Sequence, residues 1–512
     1  MAHPSTPAPW WQTGVIYQIY PRSFQDSDGD GVGDLPGVLE RLDQLVWLGI
    51  DAIWLSPIFR SPMADFGYDV ADYRDIDPLF GTLDDLDRLI EAAHRRGIRV
   101  ILDLVPNHTS DQHPWFVESR SSRSNPKRDW YVWADDAPGG GPPNAWGSMF
   151  GGSAWTYDPP TGQWYYHGFL AEQPDLDWRD PAVEAEMLDT MRWWFERGID
   201  GFRIDVLWLL LKDPALPVDP ARPWAGRADL PGMLGIVERM RAVADAFDER
   251  VLIGEIYLPL ERLVRYYGPH GRGIHLPFNF GLITLPWDAV AIGEAIRSYE
   301  AVLPPGAWPN WVLGNHDQSR IATRAGRAQA RAAAMLLLTL RGTPTLYNGD
   351  EIGMADVVVP PGQQRDPAGI HGPSRDPERA PLRWASGAGG GFTGGEPWLP
   401  LPPDESGASV SAQRDDPDSI LTLYRALLAL RRREPALQLG SVEVIAARPD
   451  GLLAYRRTLG ERSLVVALAL GEVTADTRDV VPAGTTVLLA TRPGLADPRT
   501  LVPGDGIIVA AA

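Results

Sequence analysis

The stretch GFRIDVLWLL, residues 201–210, has the apolar density of a strand buried on both faces, yet Arg203 and Asp205 sit two apart within it. Side chains at i and i+2 leave a strand on the same side. An arginine and an aspartate therefore point together toward what should be an apolar interior. Buried charges cost several kcal/mol each unless they are paired or used. The pair is expected at an exposed strand tip, as part of a site.

The same pattern of an apolar run with a polar end recurs along the chain. Strands are expected at 14–20, 52–57, 98–108, 201–206, 251–257, 274–280, 310–317 and 343–354, with helical periodicity between them, as in LDDLDRLIEAAHRRG. Continuous apolar strands alternating with helices indicate a parallel sheet. Eight such units predict a (β/α)8 TIM barrel, whose site lies at the C-terminal ends of its strands. Residues 107–178 break the alternation with Trp, Gly, Pro and Asn, and read as an inserted subdomain. Residues 1–106 and 179–435 then form the barrel, with a Pro/Gly-rich connection over 355–415. Residues 436–512 switch to short alternating strands and read as a C-terminal antiparallel β-sandwich.

Composition narrows the function. The 512 residues carry a net charge of −20, which argues against nucleic acid or an anionic membrane as partner. There is no cysteine, so neither disulfides nor thiolate metal sites exist. The start MAHPSTPAPWWQ lacks the features of a signal peptide, and the longest apolar run, 332–340, is too short to span a bilayer. A cytoplasmic protein acting on a small uncharged substrate is expected, as a monomer or homodimer.

In a barrel the strand ends converge. Asp205, Glu255 and Asp317 end strands four, five and seven, while His108 follows strand three and His316 precedes Asp317. Two carboxyl groups in different environments are the machinery of glycoside hydrolysis. Charge pairing with Arg203 would keep Asp205 ionised, and desolvation after the apolar run LIGEIY would raise Glu255 toward the role of an acid. A single acid at a strand end is usually a cap or turn residue; three acids and two histidines at successive ends are not.

The motifs GFRIDV, LIGEIY, LGNHDQSR, LDLVPNH and ADFGYDVADY resemble those of the α-amylase superfamily (glycoside hydrolase family 13), in its oligo-1,6-glucosidase and α-glucosidase branch, over residues 10–435. The resemblance implies Asp205 as nucleophile, Glu255 as acid/base and Asp317 as the carboxylate that fixes the sugar's 2- and 3-hydroxyls. It implies transition-state contacts from His108, Arg203 and His316, and a retaining reaction with Asp205 and Glu255 roughly 5 Å apart. Tyr68 would lie under the sugar, and Asp65 with Arg375 would seal the pocket behind one glucose unit, giving exo-action. Arg375 stands in a loop shorter than in typical oligo-1,6-glucosidases. Phe150, Phe169 and Gln173 match pocket-lining positions; the phenylalanines also suit subdomain core. Val206, after the nucleophile, matches a position where Val accompanies α-1,6 or sucrose-type substrates and Ala or Thr α-1,4. A methyl-scale contact is worth only about 1–3 kcal/mol, so short α-glucosides with α-1,6 activity and mixed specificity are expected.

The segment DSDGDGVGD, 26–34, repeats the early ligand spacing of a calcium loop, but Gly37 stands where an EF-hand has its glutamate. Relatives of the resembled family hold a structural Ca2+ in a matching loop, which makes Asp26, Asp28, Asp30, Asp34 and the Val32 carbonyl the expected ligands. The alternative is a solvated acidic turn.

HRRG (94–97) and RRR (431–433) read as helix ends, with cations toward the dipole's negative pole. His3, His94 and His371 read as surface residues, and the WW pairs at 10–11 and 193–194 as packing. Two rivals stay nearby: a glucosyltransferase or sucrose/maltose isomerase of the same family, and a non-catalytic relative that has lost its acids. A metal-dependent barrel hydrolase would need His-x-His at the end of strand one, where this chain has IYQIYPRSF.

Overall fold

The computed structural model describes residues 8–219, 221–495 and 497–510, so His3 lies outside the described residues. Eight parallel strands close into a barrel. In chain order they are Ile16–Ile19, Ala52–Leu55, Arg99–Leu104, Gly201–Ile204, Val251–Gly254, Leu276–Asn279, Asn310–Val312 and Thr343–Tyr347. Strand one pairs with both strand two and strand eight, which closes the ring. All eight expected strands form, each shorter than its apolar run because the last residues of the run turn into the loops that build the site.

The helices between strands are bounded by local chemistry. Leu35–Leu48 starts on Asp34, whose carboxylate accepts the Gly37 N–H, and ends at Gly49 in the left-handed conformation. Leu83–Arg95 starts with a Thr82/Asp85 capping box. No described helix is long and apolar enough to cross a membrane.

After strand three the chain leaves the barrel and builds a three-stranded antiparallel sheet from Trp133–Ala134, Gln163–Tyr166 and Trp155–Asp158. Lys212, buried, ties this insertion to the barrel through Asp175 at 2.6 Å. The connection over 355–415 is short helices and turns rather than featureless coil, and it buries Trp384 and Phe392.

The C-terminal strands form one five-stranded antiparallel sheet, with Leu452–Leu459 and Arg462–Ala469 near its centre. Alternation divides its faces: Leu453, Tyr455 and Val466 join the main core, while Leu452, Ala454 and Val465 join a separate cluster. The expected sandwich is therefore lopsided. Barrel helices cover one face, while the ribbon of Ala475–Asp476 and Thr500–Leu501, with Val480, Val481 and Leu495, packs on the other.

His94 is exposed as expected, with its Nε2 2.7 Å from the buried Asp200. Arg431 lies in the last turn of the helix Ile420–Arg433 as expected, but is fully buried and donates to the carbonyls of Leu338, Gly342 and Leu437. Burial pushes its guanidinium down to about 10. His371 is exposed as expected. Trp194 is packed in the core, and Trp10 is half-buried against Arg99.

Candidate active site

Parallel register carries the first layer of the site. Asp103 of strand three lies beside Arg203 of strand four, which lies beside Ile253 of strand five. Side chains two residues further along project on the same face, which sets Asp205 and Glu255 above that layer. Arg203 is the hub. Nη1 donates to Asp103 at 2.9 Å and to Asp205 at 2.7 Å, while Nη2 donates to Glu255 Oε2 at 2.6 Å. The expectation of an exposed strand tip fails here: the Arg203 side chain is 1% exposed. What makes this tolerable is pairing with three carboxyl groups, together with the Trp54 ring under the guanidinium at 5.0 Å.

Three carboxyl groups around one cation cannot all ionise freely. Burial pushes Asp103 up to about 7 against the pull of Arg203. Burial also holds Asp205 well above the usual carboxylate range, with Glu255 and Asp103 adding repulsion and Arg203 opposing. Charge pairing with Arg203 therefore does not by itself settle the ionisation of Asp205.

The backbone contributes as well. Val206 adopts φ 34°, a left-handed conformation that is costly for a β-branched residue, and its N–H donates to Glu255 Oε2 at 3.0 Å.

A second cluster forms around Asp317. Its Oδ1 accepts from Arg375 Nη1 at 2.9 Å and from Arg379 Nη2 at 2.7 Å. Burial opposes its charge, but the two arginines overcome this and hold Asp317 well below the ordinary range. Gln18 Nε2 lies 2.8 Å from His316 Nδ1, and the Tyr68 hydroxyl lies 2.7 Å from Nε2. Burial lowers His316 to about 3 and His108 to about 4, so both rings are neutral near pH 7. Arg375 also donates to Asp65 at 2.9 Å and is gripped by Asp366 at 2.7 Å. The Asp65–Arg375 contact expected from the sequence is thus present. It joins residues 310 positions apart, with Phe150 beneath the guanidinium at 5.0 Å.

These clusters open onto one cavity of ≈ 1220 Å³. Asp65, Tyr68, His108, Phe150, Phe169, Asp205, Val206, Glu255, Asp317 and Arg375 all line it. Gln173 does not. It is fully buried behind the wall, where its Nε2 donates to Asp65 at 3.2 Å. Arg203 and His316 also stand behind the lining, bonded to Asp205, Glu255 and Tyr68 in front of them. Phe169 packs edge-on to Phe150, so both phenylalanines face the cavity rather than a subdomain core.

Sequence reading missed Asp103, Asp366, Arg379 and Tyr257. Asp103 carries the signal that GFRIDV carries, an acid inside an apolar strand. Asp366 and Arg379 lie in the irregular 355–415 segment, where no periodicity reports on direction. Tyr257, two residues after Glu255, stacks on Phe280 at 4.2 Å and walls the cavity.

Away from the cavity, Asp26, Asp28 and Asp34 bring carboxylate oxygens within 4.8 Å of one another. Asp30 stands outside that cluster, its Oδ1 accepting the Val32 N–H at 2.8 Å. Gly31 is required by the turn: its φ is +92°, and a Cβ there would meet the Glu396 carbonyl at 1.9 Å.

Residues 18–440 match the family model described as Alpha amylase, catalytic domain. A probable alpha-glucosidase of Rhizobium meliloti (strain 1021) is 42% identical over 488 residues, covering 89% of this chain and 88% of the relative. An oligo-1,6-glucosidase of Heyndrickxia coagulans is 38% identical, covering 91% of this chain and 93% of the relative. Among solved structures, an alpha-glucosyl transfer enzyme, XgtA, superposes with a TM-score of 0.92 at 40% identity, covering 99% of this chain and 100% of that one.

Proposed function

The chain belongs to the alpha-amylase catalytic-domain family and is a glycoside hydrolase, and from that premise we propose a retaining, exo-acting α-glucosidase that releases α-glucose from the non-reducing end of short α-glucosides. One observation carries this reading: Asp205 and Glu255 are held by the two terminal nitrogens of one guanidinium, on the wall of a cavity that Arg375 and Asp65 line together.

Asp205 attacks the anomeric carbon as the bond to the leaving sugar breaks, and Glu255 gives its proton to the departing oxygen. A water then enters; Glu255 takes its proton, and the water oxygen displaces Asp205 from the sugar. The two roles fall to two carboxyl groups held by one guanidinium, because one must attack while the other donates. Asp317, held ionised by Arg375 and Arg379, accepts the sugar's 2- and 3-hydroxyls. Tyr68 forms a surface for the ring, and Asp65 with Arg375 takes the far hydroxyls, limiting the site to one glucose unit. Val206 shapes the leaving-group side and favours α-1,6 or sucrose-type linkages beside α-1,4.

Glucosyl transfer to another sugar is the second reading, supported by the likeness to a glucosyl-transferring structure. Water and acceptor compete for the same glucosyl-enzyme, so product distribution at high sugar concentration separates the two. The cavity is completed by one chain's residues, so a monomer suffices and a homodimer is compatible. A cytoplasmic location suits an enzyme for short soluble sugars.

We also propose a structural Ca2+ in the 26–34 loop. An all-oxygen donor set with three converging carboxylates suits a hard cation. Asp26, Asp28 and Asp34 would hold it with the Val32 carbonyl and a reoriented Asp30. The ion would supply no chemistry. It would fasten the loop to the segment that Asp26 already grips through Thr393, next to Trp398, which packs on Phe66 beside Asp65.

The test is a panel of maltose, isomaltose, sucrose, trehalose and maltotriose with NMR of the first products. α-Glucose is expected at early times. Dominant β-glucose contradicts retention, and starch cleaved faster than disaccharides contradicts the closed pocket.

A further inference from the structure

Beyond the glucose-binding end, the cavity is walled by the loops that follow the nucleophile and the acid: residues 213–219 and 222–230 after strand four and 257–262 after strand five. Glu255 must protonate the leaving oxygen, so these loops surround the leaving sugar. Their charges are informative. Seven carboxyl residues and three arginines line the whole cavity, and among the described residues no lysine does.

Each of those arginines is already engaged. Arg375 serves Asp65, Asp317 and Asp366. Arg262 reaches across from the strand-five loop to Asp229, whose other oxygen accepts the Tyr266 hydroxyl at 2.9 Å. Arg222 is clasped by Asp219 at 2.6 Å. Asp213 adds a further carboxylate on the same loop, bonded to the Ala215 N–H. The Asp229 pair is the firmer one. Its side chain is only 6% exposed, and its backbone is pinned at φ 47° by an N–H bond to the Trp208 carbonyl. The rest of this wall is apolar, including Val218, Trp208 and Trp224.

A phosphate ester is the usual way a short sugar carries charge, and its recognition needs arginine or lysine donors free to make charge-assisted hydrogen bonds. Here an entering phosphate meets arginines bound to carboxylates, in a cavity with excess negative charge. We propose that the leaving-group site admits only uncharged sugars, and that Asp229 and Asp219 are the specificity-determining residues that withhold Arg262 and Arg222 from a sugar phosphate. This rests on the α-glucosidase reading above.

The experiment compares kcat/KM for matched pairs differing by one phosphate on the leaving sugar: maltose, trehalose and sucrose against their 6-phosphates on that unit. For each pair whose neutral member is cleaved, the phosphorylated member should be at least 100-fold poorer, mainly through KM. Asp229→Asn with Asp219→Asn should narrow that ratio at least tenfold, and added salt should erode the gain, since freed arginines would bind the phosphate by charge. Asp219→Asn alone, on the exposed pair, should narrow it in the same direction should the double variant fold poorly. Phosphorylated substrates cleaved within tenfold of the neutral ones by the wild type, or an unchanged ratio in the folded variants, would overturn the inference while leaving the α-glucosidase reading intact. No cleavage of any neutral α-glucoside would remove that reading, and this inference with it.

Discussion

Glu255 Oε2 sits 2.6 Å from Arg203 Nη2 and takes a second hydrogen bond from the Val206 N–H at 3.0 Å, so one oxygen of Glu255 is fixed by the strand that leads into Asp205. The two carboxyl groups are positioned by a shared scaffold rather than by separate loops. Distance between them is therefore set by strand register, which is stiff.

Replacing Asp205 by Asn, or Glu255 by Gln, should lower kcat by about 10³-fold or more, because each group forms or breaks bonds in the transition state. Circular dichroism should stay native, since Asn and Gln keep most of the hydrogen-bonding capacity toward Arg203. Retention of more than a tenth of the wild-type rate would remove these residues from the chemistry.

Asp103→Asn should move the acid limb of the kcat/KM profile to lower pH by about one unit. Asp103 adds repulsion that raises Asp205, so its neutralisation lets Asp205 ionise more readily. A pH–rate series on one chromogenic α-glucoside measures this, and an upward shift would contradict the shared-guanidinium account.

Arg375→Ala should shift the balance the other way. Asp65 and Asp317 lose a cation, so both carboxyls rise and the acid limb moves to higher pH. kcat/KM on disaccharides should fall about 100-fold, while maltotriose and longer chains lose less because the far wall is open. Equal losses across chain lengths would argue against that wall.

His275 lies outside the site, with Nδ1 accepting the Leu252 N–H at 3.1 Å, and burial lowers it to about 3. The unfolded chain takes up a proton near 6.5 that the folded chain refuses, so this residue's contribution is intact above pH 6.5 and is lost as pH falls toward 3. His275→Asn should therefore reduce the stability difference between pH 7 and pH 4.5 by about 2–3 kcal/mol. Denaturant unfolding at the two pH values gives the answer.

Chelation should lower the melting temperature, and Ca2+ at about 100 times its dissociation constant should restore about 2.7 kcal/mol. Asp28→Asn should abolish that response with little change in the metal-free protein, because Asp28 is exposed and its Oδ1 only accepts the Asp30 N–H. Identical melting with chelator and with Ca2+ would reject the metal.

Sequence alone settled the barrel, its eight strands and the acids at their ends, because strand periodicity and chain order are local properties that a repeating β/α unit writes eight times over. It also brought Asp65 toward Arg375, through motif resemblance rather than through any local signal. Tertiary structure alone decided what stands behind the lining. That Asp103, Asp205 and Glu255 divide one guanidinium depends on neighbours in register across three strands. That Arg379 and Asp366 hold Asp317 and Arg375 depends on how an aperiodic segment folds back over the strand ends. Burial follows the same rule: Arg203 looked exposed in one dimension and is enclosed in three, since only the closed ring of strands supplies the groups that surround it.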